Sequence, residues 1–273
     1  MKTALITGAY GGMGSAAVKQ FLSLGYTVFA LDLRAPSADV EGVIPISADL
    51  TCVDGVRAAR EAVLAHTDSI DVILHFAGMY SLDSLVEMED AAFGKILDVN
   101  LRSAYLVNRE LLPLLKSGAR ILITTSELAT LDPLPFTGIY AITKAALDKY
   151  AFSLAMELQL LGIRVAVLRA GAVDTGMLGV STAALDKFCE STALYTCNAA
   201  RFKSIVEKVE ARCVPPERVA KKCAKIIGRK SPRFAYSINR NPLLVLLNLL
   251  PKRVQLFAIK AVLKPPKQKE KQK

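Results

Sequence analysis

A tyrosine and a lysine four residues apart, Tyr140 and Lys144, with Ser126 fourteen residues ahead of the tyrosine, carry the groups for a proton-coupled hydride transfer. A phenol titrates near 10 in water, so it is a poor base at neutrality unless its anion is stabilised. On a helix, residues four apart share a face, and Lys144 can therefore point into the same pocket as Tyr140 and favour its phenolate. Lowering a tyrosine by about three units takes roughly 4 kcal/mol, the size of one close charge interaction at an effective dielectric near 20, so one lysine helped by a cationic nicotinamide ring would suffice. Ser126 ends the apolar run Arg120-Ile-Leu-Ile-Thr-Thr-Ser126. That run reads as a buried strand, which brings the hydroxyl to the C-terminal edge where α/β sheets bind ligands. Taken singly, each residue has a plainer reading: an amphipathic surface pair, or a serine that caps a turn. In this order the three supply a hydroxyl to polarise a carbonyl, a phenol to move a proton and a cation to tune the phenol.

These side chains need a cofactor beside them, and the N-terminus offers a place for one. Lys2-Thr-Ala-Leu-Ile-Thr7 is a short apolar strand, followed by glycines at 8, 11, 12 and 14 and then a helix ending near Gly25. Strand, glycine turn and helix form a dinucleotide grip: the backbone can approach a pyrophosphate at a helix N-terminus, where unpaired amides and the helix dipole favour negative charge. Gly8, Gly12, Met13 and Gly14 are the candidate contacts in this turn. Eighteen residues past Gly14, a second strand ends in Asp32, at the spacing of an acid that binds ribose hydroxyls. Asp32 would repel a 2′-phosphate and favours NAD over NADP, while Arg34, two positions on, is the residue that could bind that phosphate instead.

With these residues in place, residues 2 to 240 or so resemble the short-chain dehydrogenase/reductase family, and within it members that act on hydroxysteroids. Gly8, Gly12 and Gly14 fall on the family's glycine motif, Asp49-Leu50 on its adenine-contacting step, and Ala77-Gly78 on the end of its Asn-Asn-Ala-Gly segment. Asn100, Ser126, Tyr140 and Lys144 fall on its catalytic tetrad. The resemblance implies that Asn100 holds a water linking the lysine to solvent and that Lys144 also binds the nicotinamide ribose. It further implies that Gly171, Val173 and Thr175 lie at the nicotinamide end, with the threonine reaching the amide. Two departures stand out. His75-Phe76 replaces the asparagine pair, putting local strand support in question, and Ala170 replaces a proline, which would loosen the nicotinamide end. The resemblance also implies a dimer or tetramer packed through helices near 90–116 and 138–161.

The chain of 273 residues, 52% hydrophobic, is long enough for a full core. Strands near 2–7, 27–32, 43–47, 71–76, 119–125 and 163–169 alternate with helical stretches. They predict an α/β fold: a single Rossmann-type doubly wound parallel sheet with helices on both faces, over residues 1–240. Five cysteines without Cys-x-x-Cys spacing suit reduced thiols, and His66 and His75 form no ligand cluster with them, so no metal is expected. Met1-Lys2 leads directly into the first strand, so no signal peptide is expected and the location reads as cytoplasmic.

Charge divides the chain. Residues 213–273 hold sixteen Lys plus Arg against two acids, whereas the whole chain is +10, so the body before them is net acidic at −4. Residues 241–273 read as a basic amphipathic C-terminal extension: one or two helices over 242–264, then a polar tail from Lys264 to Lys273. The apolar run Pro242–Leu250 is shorter than the roughly 20 residues a bilayer crossing needs. Three readings compete: a helix completing the pocket or a subunit interface, peripheral attachment to a membrane, and nucleic acid. The acidic body and the lack of aromatics among the basic residues argue against the last.

The resemblance implies that residues 171–212, the segment after the sixth strand, form the lid. Met177, Leu178, Val180, Leu185, Phe188, Leu194, Tyr195 and Phe202 imply an apolar partner molecule, an alcohol or ketone, with a hydroxysteroid or similar lipophilic secondary alcohol first. A reductase of acyl or polyketide carbonyls is the runner-up. A non-catalytic nucleotide sensor is the alternative from another class, against which the complete tetrad counts.

Overall fold

The computed structural model describes residues 2–36, 40–209 and 213–264, and for 176–183 and 206–209 the backbone alone. The apolar runs form β1 (Lys2–Thr7), β2 (Tyr26–Asp32), β3 (Val43–Ser47), β4 (Ile70–His75), β5 (Leu115–Ser126), β6 (Arg164–Ala170) and β7 (Ala235–Ile238). All pair in parallel, in the order β3-β2-β1-β4-β5-β6-β7. The order reverses between β1 and β4, and a crevice opens there above the strand ends, the place where such sheets bind ligands. The doubly wound reading is borne out; β7, four residues long and only partly buried, is a strand the sequence reading did not include.

Strands buried on both faces need helices on both sides. On one face, α1 (Gly12–Leu22) and α8 (Pro216–Ile227) bury Phe21, Val219 and Ile226 against Ile6, Val28 and Leu168. On the other lie α2 (Val53–Leu64), α4 (Ser103–Leu111) and α5 (Gly138–Leu158), which bury Val56, Leu111, Leu147 and Ala151 against Leu5, Ile73 and Ile121. The run ahead of α4 is α3 (Asp90–Leu97), joined to it by a five-residue π-turn, Asp98–Arg102. A third, smaller core lies over the strand ends, where α6 (Gly176–Ser191) and α7 (Thr196–Val209) bring Leu185, Phe188, Ala199 and Phe202 against Leu82. Glu87 fastens this lid by accepting hydrogen bonds from the Thr192 hydroxyl and from Ala193 N and Leu194 N. Of the lid residues read from sequence, the side chains of Met177, Leu178 and Val180 lie outside the described residues.

The C-terminal extension is two short helices, α9 (Pro242–Asn248) and α10 (Lys252–Leu263), separated at Pro251. Leu263 is buried in the lid core, and Asn198 Nδ2 donates to its carbonyl at 2.7 Å. No helix among the described residues is long and apolar enough to cross a membrane. The tail beyond Lys264 lies outside the described residues.

His75 answers the question its departure raised. The ring is buried at the end of β4, with Nε2 3.0 Å from Asn108 Oδ1 on α4, and Asn108 Nδ2 donates to the Tyr150 hydroxyl on α5. Strand support is therefore supplied by a histidine–asparagine–tyrosine chain to the helices. Burial pushes the His75 pKa down to about 4 from 6.5, so the folded ring stays neutral. This part of the stability is fully present above pH 6.5 and is lost as pH falls toward 4, because the unfolded chain then binds a proton that the folded one refuses. The loss approaches about 3 kcal/mol. Urea unfolding at about pH 7 and about pH 4 should show His75→Gln losing less stability on acidification than the parent; equal losses would remove the histidine from the explanation.

Candidate active site

The glycine turn is the first wall of the site. Gly8 sits in the left-handed region at φ 64°, and a Cβ on it would lie 2.7 Å from the Ala77 amide nitrogen. On Gly14 a Cβ would lie 1.9 Å from the Gly8 carbonyl oxygen, so β1, α1 and the end of β4 meet through bare backbone. Thr7 ties the same corner, its Oγ1 accepting from Ala77 N. The N-terminus of α1 has no side-chain cap: Gly11 precedes it, and no acid lies in its first turn. Helix-end amides without side-chain partners, above a backbone cradle that side chains would fill, fit a dinucleotide's pyrophosphate.

The other candidate cofactor residues ring this cradle. Asp32 is positioned at the end of β2 by Tyr10 N (3.0 Å) and Leu33 N (2.8 Å), both donating to its carboxylate. Arg34 is exposed two residues on. Asp49 accepts from Thr51 N and Oγ1, which holds its pKa below the ordinary value, while Leu50 is buried in the core beneath. Met13 packs its side chain partly against the α1-side core. Thr175 lies over the cradle, close enough that a Cβ on Gly12 would meet its side chain at 2.6 Å. β6 runs through Ala170 in register with Ser126 and Ile238. Beyond it, Gly171 N donates to Ile238 O, Asn239 Nδ2 donates to Ala172 O, and buried Val173 bridges to Val214.

Opposite the cradle stand the four candidate catalytic residues. Ser126 ends β5, and Leu128 N donates to its Oγ at 3.2 Å, fixing the hydroxyl at the strand edge. Tyr140 and Lys144 stand one turn apart on α5, with Lys144 Nζ 5.7 Å from the tyrosine ring centre. The Ser126 hydroxyl lies near enough to Tyr140 to work against the rise of its pKa. Asn100 is buried in the π-turn, a helical irregularity that often marks functional sites. Its Oδ1 accepts from Met79 N, and its Nδ2 donates to Met79 O and Thr143 Oγ1. A Cβ on Gly78 would stand 3.2 Å from both Asn100 Oδ1 and Lys144 Nζ, so this glycine leaves room where the two side chains converge.

The electrostatics differ from the sequence expectation. Lys144 was expected to depress the phenol, but burial dominates and pushes Tyr140 up to about 12, against a smaller opposing effect of the Ser126 hydroxyl; the nearby Glu127 charge adds to the rise. Burial also lowers Lys144 to about 8. In the protein without cofactor, Tyr140 is thus a protonated phenol, suited to give a proton to a developing alkoxide.

Three supporting groups were not apparent from sequence. Arg169 on β6 holds Asp148 on α5 through two hydrogen bonds (2.9 and 2.7 Å), and Thr125 Oγ1 donates to the same carboxylate, pinning α5 one turn beyond Lys144. Tyr80 packs its ring 4.9 Å from that of Tyr140. Phe136 occupies the left-handed region at φ 67°, a costly conformation for a bulky residue, and its ring contacts Phe188, Tyr195 and Phe202. Spacing gives no sign of contacts this distant in sequence.

Between the β5–α5 loop, the lid and α10 lies a cavity of about 660 Å³, walled by Leu85, Leu134, Phe136, Tyr195, Leu256 and Ile259 among others. It extends to Gly138, two residues before Tyr140. A second cavity of about 540 Å³, lined by Arg120, Arg164 and Lys230, sits at the opposite ends of the strands, away from these residues.

Comparison with known proteins agrees with the fold. Residues 2–186 match the family model described as short chain dehydrogenase. The chain is similar to the short chain dehydrogenase MYCFIDRAFT_6125 of Pseudocercospora fijiensis, at 33% identity over 188 residues, covering 64% of this chain and 60% of that protein. It is similar over nearly its whole length to 3-ketodihydrosphingosine reductase of Bacteroides thetaiotaomicron, at 24% identity, covering 94% of this chain and 96% of that one. A hydroxysteroid-acting relative is also among its matches: estradiol 17-beta-dehydrogenase 2 of Mus musculus, at 29% identity over 65% of this chain and 50% of that protein. Among solved structures, 3-ketoacyl-(acyl-carrier-protein) reductase from Brucella melitensis, complexed with NADH, superposes with a TM-score of 0.71 at 24% identity, over 87% of this chain and 96% of that one. The glycine cradle, the parallel sheet and the family match lead to one conclusion: this chain belongs to the short chain dehydrogenase family of oxidoreductases.

Proposed function

We propose that this protein interconverts a lipophilic secondary alcohol and its ketone with a nicotinamide dinucleotide, NAD in preference to NADP, and that its first substrate class is a hydroxysteroid. The observation that carries the reaction is the convergence of Tyr140 and buried Lys144, its Nζ 5.7 Å from the tyrosine ring centre, with Asn100 at Gly78 and with Ser126 at the end of β5. When bound, the dinucleotide supplies the hydride for reduction. Gly8, Gly12, Gly14 and the start of α1 would hold its pyrophosphate, Asp32 its ribose, and Thr175 the nicotinamide end.

Ser126 Oγ donates a hydrogen bond to the substrate oxygen and orients it. Tyr140 gives its phenolic proton to that oxygen as negative charge develops there, and takes it back in the oxidising direction. Lys144 supplies positive charge to the resulting phenolate and binds the cofactor ribose. Asn100 holds Met79 and Thr143 in place beside the lysine.

The apolar cavity wall supports a lipophilic substrate. A second reading, a long-chain keto-lipid, is favoured by the similarity to 3-ketodihydrosphingosine reductase, which covers 94% of this chain. Self-association is supported by Tyr105 on α4 and by Ile142, Phe152 and Met156 on α5, all exposed. The test is consumption of NADH and NADPH with ketosteroids, a 3-keto sphingoid base, a β-ketoacyl thioester and short ketones. Lipophilic ketones should exceed short ones in kcat/KM by about 10² or more, since each added methylene in an apolar pocket contributes about 1–3 kcal/mol. Preference for the thioester or for short ketones would overturn the substrate class.

A further inference from the structure

We propose that the outward face of α9 and α10 is a docking surface for an anionic lipid membrane. Leu243, Leu246 and Leu249 recur every third residue and are 64%, 60% and 76% exposed. On α10, Val254 and Phe257 share the outward side, 44% and 73% exposed. The inward side holds the buried Gln255 and Leu263, so the apolar outward face is not left over from core packing. Large apolar side chains grouped this way on a surface mark an interaction site.

Charge identifies the occupant. No Asp or Glu occurs between Glu217 and Glu270, and Arg253, Lys260 and Lys264 are exposed on and just after α10, the two lysines also lining the cavity. A two-fold contact with a second copy would bring the same cations face to face. An anionic surface would neutralise them while its acyl boundary takes up the leucines and Phe257. At seven and twelve residues, the two helices suit lying in an interface and are too short to span.

The two helices are also tied to the body of the protein. Asn241 N donates to Glu127 Oε2 at 2.7 Å, directly after Ser126. Asn248 Oδ1 accepts from Asp132 N, and Lys252 pairs with Asp132. The platform is thereby fastened to the segment that follows the candidate catalytic serine, and α10 contributes Leu256 and Ile259 to the cavity wall. Docking would set that cavity's mouth close to lipid. The docking itself does not depend on the proposed reaction.

The test is flotation of the full chain with phosphatidylcholine vesicles and with phosphatidylcholine–phosphatidylserine vesicles, at low and high salt, against Leu246→Glu/Phe257→Glu. The expected result is flotation with the anionic vesicles that weakens in high salt and falls by about tenfold or more in the double variant, with its unfolding midpoint unchanged. Absence of parent flotation with anionic vesicles, or equal flotation of the double variant, would overturn the proposal. A parent dimer that the double variant dissociates, without vesicle binding, would assign the face to a second copy instead. Flotation involves no turnover, so its failure is distinguishable from failure of the catalytic reading.

Discussion

Tyr140→Phe is expected to lower turnover by about 10²–10⁴-fold, the range set by loss of a positioned general acid, while dinucleotide affinity changes little. The substitution removes one oxygen and keeps the ring that packs on Tyr80. Because the pKa of Tyr140 is pushed up to about 12, the phenol holds its proton across the neutral range and offers it to a substrate oxygen. Removing it leaves Ser126 able to orient the carbonyl with no acid to complete the reduction. The loss should therefore fall on kcat, with KM nearly constant, as for an interaction made chiefly in the transition state. Parent-like turnover in Tyr140→Phe would sink the assignment. Ser126→Ala makes a useful companion, because its loss should be smaller if the phenol carries the proton.

The second large effect is on the cradle. Gly14→Ala places a methyl group 1.9 Å from the Gly8 carbonyl oxygen, against the Gly8–Ala9 backbone, so no rotamer change can relieve it. The turn or the start of α1 must shift, at a cost of about 1–3 kcal/mol typical of overpacking. The same shift moves the uncapped amides of α1 away from the pyrophosphate position, and dinucleotide affinity should fall by about tenfold or more, each factor of ten being about 1.4 kcal/mol. Titration by NADH fluorescence, with thermal unfolding in parallel, separates the two effects. Parent-like affinity in a folded Gly14→Ala protein would mean that the cradle does not hold the cofactor.

What could be read from the sequence follows from how local each feature is. β1, the glycine turn and α1 are contiguous, as are Tyr140 and Lys144, so periodicity and spacing determine them. Six strands were legible within a few residues because each is a short apolar run; β7 was not, since its four residues alternate little and it pairs only at the edge of β6. The departures at His75 and Ala170 could be seen in the sequence but not evaluated there, because their compensation comes from Asn108, Ile238 and Asn239, far along the chain. The depressed phenol is not seen in the protein without cofactor, where burial raises Tyr140. Helical spacing places a cation beside Tyr140, but it carries no information on desolvation, which raises the tyrosine and lowers the lysine together. The extension shows the same division: its apolar and basic composition was evident, whereas the fastening of α9 to Glu127 required the fold.

The most direct measurement of the proposed chemistry is isotope transfer. NADH carrying deuterium at the reactive position of its nicotinamide ring would be incubated with the protein and the best lipophilic ketone, and the alcohol analysed by mass spectrometry. Deuterium on the new carbinol carbon, with its formation abolished in Tyr140→Phe, is the expected result. Alcohol formed without the label, or labelled alcohol formed equally well by Tyr140→Phe, would contradict hydride transfer coupled to a proton from this tyrosine.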